Sequence, residues 1–175
     1  MSRAVTAERN TERVKIPFDV DAYTTRSRTG PCFVCALVAG EPGAEHHIVL
    51  EDDEFIGFLA RWPTLLGYCL VAPKRHVEDW VDALAEDEFL RMQTMIRRLA
   101  AALKATVPTE RVYSMSLGSR QGNAHLHWHV APLPPGVPYE RQQYHALMSE
   151  NGVLDVDEAG QRALAAEIRE RLKSA

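Results

Sequence analysis

Residues His125-Leu126-His127-Trp128-His129-Val130 alternate imidazole with apolar side chains. Strict alternation marks a β-strand, whose successive side chains point to opposite faces. His125, His127 and His129 are therefore expected on one face, and Leu126, Trp128 and Val130 on the other. Neighbours on one face stand about 6–7 Å apart at the rise of an extended strand. Imidazole is a poor core filler, and three of the chain's seven histidines sit in this run. Two chemistries suit such a face. Neutral imidazole is a nucleophile near pH 7, because its pKa lies there. Alternating histidines on a strand also ligate zinc.

A second cluster lies upstream. Cys32 and Cys35 form a Cys-x-x-Cys pair. The spacing alone fits a redox pair, a zinc pair or coincidence. A closed zinc site requires two further ligands, typically His.

The run 125–130 resembles the signature of the histidine triad (HIT) superfamily of nucleotide hydrolases and transferases. Residues 31–41, Pro-Cys-Phe-Val-Cys-Ala-Leu-Val-Ala-Gly-Glu, resemble that family's opening segment, and residues 70–76, Leu-Val-Ala-Pro-Lys-Arg-His, its middle one. The resemblance covers residues 31–133, with the segments in the family's order. It implies an α+β, HIT-like fold, with a mainly antiparallel five-stranded sheet, a long helix and, in this chain, a C-terminal helical extension. It also implies a homodimer, paired through the sheets and the long helix; in this chain the long helix or the C-terminal tail is expected at the contact. The tail's Leu154, Leu164, Ile168 and Leu172 suit such a contact, since they need a surface to cover them.

By the same resemblance, His127 is the nucleophile that attacks phosphorus. The resulting phosphoramidate splits one hard displacement into two easier ones. His125 orients His127 or ligates zinc, and His129 donates to the phosphate or the bridging atom. Structural zinc falls to Cys32, Cys35, His76 and His125. Phe33, Val34, Leu37 and Phe58 surround the nucleotide. Ser116, Gln121, Gly122 and Asn123 meet the phosphate, with the backbone N–H groups of Gly122 and Asn123 holding non-bridging oxygens. Lys74 and Arg75 either attract phosphate or form a solvated turn. The implied substrates are dinucleoside polyphosphates or nucleoside phosphoramidates. Two alternatives use the same residues: a non-catalytic nucleotide-binding adaptor, and a zinc-dependent hydrolase in which all three triad histidines hold one metal.

The chain also departs from the family pattern. Ala60 stands where Asp or Asn often contacts ribose hydroxyls. Gly122 replaces the usual Ser or Thr before the first histidine, and Ser116 takes a position often held by Asn or Gln. Leu133 replaces an Arg that often follows the triad proline. The loop between Ser116 and His125 is about two residues short, so Asn123 is expected to reach the same point.

The elements that must position these residues are legible from periodicity. Residues 1–30 are polar and read as a poorly structured arm, with a partner subunit as one surface for it to pack on. Residues 32–39 read as a short helix stopped by Gly40. Residues 46–50 and 55–59 read as strands around an acidic turn, with His46 and His47 exposed. Residues 68–72 read as a central strand, and Cys69 within it as an inert buried thiol. Phe89, Met92, Ile96, Leu99 and Leu103 recur at steps of three and four, predicting a helix over 86–105. A strand over 112–116 and a Gly-rich loop over 117–124 lead into the triad. Beyond Pro138, helices are expected over 139–148 and 157–173. The organisation is thus an arm (1–30), a HIT domain (31–133) and a helical extension (134–175).

Composition narrows the class of partner. The 20 Lys and Arg face 24 Asp and Glu, a net charge of −4. That balance gives no surface for nucleic acid or an anionic membrane. No apolar run approaches the ~18 residues of a membrane span. Residues 1–15 lack a hydrophobic signal region, so a cytoplasmic location is expected. Three cysteines do not make a disulfide framework.

Overall fold

A computed structural model describes residues 14–174. In chain order the elements are β1 (Lys15–Ile16), α1 (Val20–Thr29), α2 (Phe33–Ala39), β2 (Ile48–Glu51), β3 (Phe55–Leu59), β4 (Cys69–Pro73), α3 (Trp80–Ala83), α4 (Glu86–Thr106), β5 (Arg111–Met115), β6 (Trp128–Leu133), α5 (Tyr144–Leu147), β7 (Val153–Leu154) and α6 (Glu158–Leu172). Five strands form an antiparallel sheet in the order β2-β3-β4-β6-β5. The fold is α+β, as the hairpin-like strand pairs predict.

The period-two pattern sends alternate residues to two different environments. Phe55, Leu59, Cys69, Val71, Trp128 and Val130 meet Met92, Ile96, Leu99 and Leu103 of α4. Leu164, Ala165, Ile168 and Leu172 of α6 close the same core. Each fully buried aliphatic side chain here contributes about 1.5–3 kcal/mol. On the opposite face Ile56, Phe58 and Ala72 pack under Val34 and Leu37 of α2. Farther along that face Leu65, Tyr68, Ala131 and Leu133 meet Ala146 of α5.

Several expectations are corrected. The arm is not poorly structured over its described part; its first 13 residues lie outside the described residues. Asp19 caps α1 by accepting from the Ala22 N–H at 2.9 Å. The rings of Phe18, Tyr23 and Trp62 then hold α1 to the body, with centroids 5.5–5.9 Å apart. β1 pairs with β7, tying the arm to the tail of its own chain. The helix expected over 139–148 is broken. It becomes a 3-10 turn at Tyr139–Arg141 and the short α5, with Gln143 between them at a positive φ of 53°. His46 and His47 are half-buried: His46 packs edge-on to Phe58 at 4.9 Å, and His47 meets Glu158 at 3.2 Å. Leu164, Ile168 and Leu172 are covered by their own chain, so they leave no face that calls for a second subunit. No described helix is long and apolar enough to cross a membrane.

Candidate functional site

Four ligand atoms converge at one end of the histidine run. Cys32 is the N-cap of α2, where its Sγ accepts from the Cys35 N–H at 3.5 Å, and one helical turn brings Cys35 beside it. His76 follows β4, and His125 ends the 117–124 loop. Cys32 Sγ lies 3.3 Å from His125 Nδ1, and Cys35 Sγ lies 3.3 Å from His76 Nδ1. All four atoms fall within 4.8 Å of one another.

The donor set fits zinc. Tetrahedral Zn–N and Zn–S bonds separate neighbouring ligand atoms by about 3.3–3.8 Å. The second ring nitrogens are also engaged. His125 Nε2 donates to the Pro73 carbonyl at 2.8 Å, which turns the Nδ1 lone pair toward the thiols. His76 Nε2 lies 3.5 Å from Glu78 Oε1. Such outer partners orient metal-ligating imidazoles. Burial and the neighbouring Cys32 push the Cys35 thiol up to about 11. Two adjacent thiols resist becoming two thiolates unless a cation joins them.

The histidine run itself differs from expectation in one respect. Ladder pairing begins only at Trp128; His125, Leu126 and His127 lie outside the sheet, with a bend at His125. Leu126 instead donates its N–H to Val77 O at 2.6 Å. The alternation survives, since Leu126, Trp128 and Val130 lie in the α4 core. His127 Nδ1 lies 2.6 Å from His125 O. A carbonyl only accepts, so Nδ1 carries the hydrogen and Nε2 keeps its lone pair.

Burial lowers the pKa of all three imidazoles, and for His129 it does so down to about 3. His127 is therefore held neutral at pH 7, with the lone pair on Nε2. Its ring is 3 % exposed, between Phe33 (centroids 5.5 Å apart) and His129 (4.9 Å). Gly118 closes over it. A Cβ there would stand 2.7 Å from Asn123 O and 3.6 Å from His127 Cε1, so this approach needs glycine. His129 Nδ1 lies 3.0 Å from the Tyr68 hydroxyl.

The three imidazoles do not share a metal point. Both nitrogens of His125 are taken, and among the described residues Cys32, Cys35, His76 and His125 are the only metal-ligand group.

The residues expected around a nucleotide divide. Phe33 packs against both His127 and Phe58, whereas Val34, Leu37 and Phe58 are buried in the sheet's second core. Ser116 is half-buried just past β5. Gln121 and Asn123 turn to α1: Gln121 Oε1 accepts from Arg28, and Asn123, at a φ of 51°, donates to the Tyr23 hydroxyl at 2.8 Å. The Gly122 N–H donates to Ser119 O at 3.1 Å and is not free for a phosphate. Lys74 pairs with Glu51 and Arg75 with Glu88, so neither is an unpaired phosphate anchor. Ala60 packs beside Tyr68 and brings no polar group to a ribose. Sequence reasoning missed Tyr68 and Tyr23. Tyr68 opens an apolar run and reads as strand filler, and Tyr23 sits in a polar stretch without periodicity.

The comparisons agree with this architecture. The HIT domain profile matches residues 41–135, more than half of the chain, and the chain belongs to the HIT domain family. It is 33% identical over 104 residues to an uncharacterized HIT-like protein of Mycobacterium tuberculosis, covering 58% of this chain and 71% of the relative. Its fold is similar to a hypothetical histidine triad nucleotide-binding protein of Sulfolobus tokodaii, with a TM-score of 0.66 and 24% identity over 82% of this chain and 93% of that one. It is also similar to a Zn-bound histidine triad family protein of Mycobacterium smegmatis, with a TM-score of 0.65 and 23% identity over 82% and 94%.

Proposed function

We propose that this chain is a nucleotide hydrolase or transferase acting on dinucleoside polyphosphates or nucleoside phosphoramidates through a covalent nucleotidyl-His127. The observation that carries this reading is the 2.6 Å contact of His127 Nδ1 with the His125 carbonyl, which leaves a neutral Nε2 lone pair beside His129. His127 Nε2 forms a bond to the α-phosphorus. The bond from phosphorus to the leaving group breaks, and the leaving group takes the electron pair and, where it is an amine, a proton from solvent. Water, or another acceptor in a transfer, then attacks the same phosphorus and gives up its proton to solvent, and the electron pair of the P–N bond returns to Nε2. His129 donates a hydrogen bond to the phosphate. Substrate entry requires the loop at Gly118 to move off the His127 ring.

Cys32, Cys35, His76 and His125 would hold one zinc per chain. Zinc there ties α2 and the loop after β4 to the triad, so its role is structural. The working unit is a homodimer: β5 is an edge strand, and Leu117 just beyond it is 60 % exposed. A sedimentation run showing only monomer at micromolar concentration would remove this claim.

A non-catalytic nucleotide-binding adaptor is the second reading, favoured by Ala60 and by the loop closed over His127. Rapid quench with phosphorus-labelled nucleotide conjugates separates the two. We expect an acid-labile adduct that maps to His127. Label on another residue refutes the mechanism, and tight nucleotide binding with no turnover of any conjugate supports the adaptor.

A further inference from the structure

Tyr68 belongs to no part of the chemistry described so far, yet its hydroxyl lies 3.0 Å from His129 Nδ1. Its backbone is pinned on both sides: the Tyr68 N–H donates to Leu65 O at 3.1 Å, and Tyr68 O accepts from the Ala60 N–H at 2.8 Å. Gly67 before it takes a φ of +81°, the turn that aims Tyr68 at the sheet face carrying the histidines. The Tyr68 ring is 8 % exposed and packs with Leu65, Ala131, Leu133 and Ala146. On the adjacent strand His129 pairs with Leu70, two residues beyond Tyr68.

We propose that Tyr68 is a positioning residue that donates to His129 Nδ1 and so holds the ring as the tautomer whose Nε2–H faces the substrate. This rests on the reading that His129 meets the phosphate.

The direction of the hydrogen bond follows from counting hydrogens. One hydrogen lies between the phenol oxygen and Nδ1. If Nδ1 supplied it, the phenol's own hydrogen would need another acceptor. Among the described residues the Tyr68 hydroxyl makes no other hydrogen bond. Leaving a buried O–H unpaired costs about 1–3 kcal/mol, so the phenol donates. A neutral imidazole that accepts at Nδ1 carries its hydrogen on Nε2. The protonation states agree: burial, with Tyr23 adding to it, holds the phenol well above its ordinary range, and burial holds His129 neutral. His129 is then a fixed neutral donor, aimed from beside His127, and needs no reorganisation as charge builds on the phosphate.

Nitrogen-15 NMR of histidine-labelled protein reads the tautomer directly and needs no variant. We expect His129 Nε2 to appear as the protonated nitrogen and Nδ1 as the bare one. Nδ1 protonated in the wild type overturns the assignment. In Tyr68→Phe we expect both tautomers to be populated. We also expect kcat for an adenosine 5′-phosphoramidate bearing a fluorescent amine to fall about 10–100-fold with KM little changed, the range for an outer partner of a site histidine. An unchanged tautomer or an unchanged kcat in that variant counts against Tyr68. If the wild type turns over no conjugate at all, the catalytic reading fails on its own, and the wild-type spectrum still decides the tautomer.

Discussion

The two outer histidines of the triad have opposite surroundings. His125 has both ring nitrogens committed, Nδ1 to the cysteine thiols and Nε2 to the Pro73 carbonyl. His129 commits only Nδ1, to Tyr68, and Nε2 has no partner among the described residues. His127 between them commits Nδ1 to a backbone carbonyl. One residue type at one spacing thus yields a fully committed end and an open end, which the proposed function reads as structural and chemical. What separates them is what the second nitrogen meets. The period-two pattern places the rings; the partners assign the work.

The sharpest break in this comparison is at its centre. His127→Ala should lower turnover by ~10⁴-fold or more, as loss of a nucleophile does, while nucleotide binding by calorimetry survives. Turnover within tenfold of wild type removes the nucleophile. The two ends then separate by which property fails. His129→Ala should slow turnover by about 10²–10⁴-fold, the range for a positioned donor, and lower the melting temperature by only a few degrees, because it leaves the Tyr68 hydroxyl unpaired at about 1–3 kcal/mol. Cys32→Ser, or prolonged chelation, should do the reverse. The protein should lose its metal and melt more than about 10 °C lower, because metal binding is folding free energy. Activity assayed well below that melting point should fall far less than in His129→Ala. Metal analysis of protein prepared without added zinc should give one equivalent per chain. If Cys32→Ser and His129→Ala lose activity and stability in the same proportion, the two ends are one unit.

Much of this was legible in the sequence, and the gaps have physical causes. The alternation at 125–130 and the apolar stripe of α4 report burial directly, and burial decides sheet faces and helix faces. Cys32 and Cys35 are one turn apart because Cys32 caps a helix that Gly40 ends, a local signal. What stayed hidden depends on distant partners. α1 buries none of its residues and is held by Trp62, far along the chain. Gln121 and Asn123 suit a phosphate loop by type, yet α1 engages both. Tyr68 is unremarkable until the register of β4 against β6 puts it beside His129.

Acid should expose the same asymmetry more gently. The imidazoles of His127 and His129, outside the proposed zinc set, have folded pKa values below the ordinary value of about 6.5, so the unfolded chain binds more protons than the folded one. Stability is then fully present above about pH 6.5 and is lost as pH falls toward the value of His129, about 3. The urea midpoint should fall between pH 7 and pH 4, and His129→Gln should flatten that slope. A slope that is identical in the variant would show that His129 titrates as an ordinary imidazole.

The smallest expected effect tests how far the chemical end extends. Leu147 of α5 is half-buried against the cluster that holds the Tyr68 ring. Leu164 of α6 is buried on the other side of the sheet, under α4. Leu147→Ala removes only part of a packed contact and should cost about 1–2 kcal/mol. Leu164→Ala opens a cavity in the main core and should cost about 2–5 kcal/mol. Their effects on catalysis should run the other way. Loosening the cluster lets Tyr68 tilt, and a hydrogen bond to His129 weakens steeply once its angle opens. Leu147→Ala should therefore lower kcat a few-fold at unchanged KM, whereas Leu164→Ala should leave kcat intact in the folded fraction. Steady-state rates measured well below each melting point check this. Equal losses of kcat would mean that the tail supports the site only by keeping the chain folded.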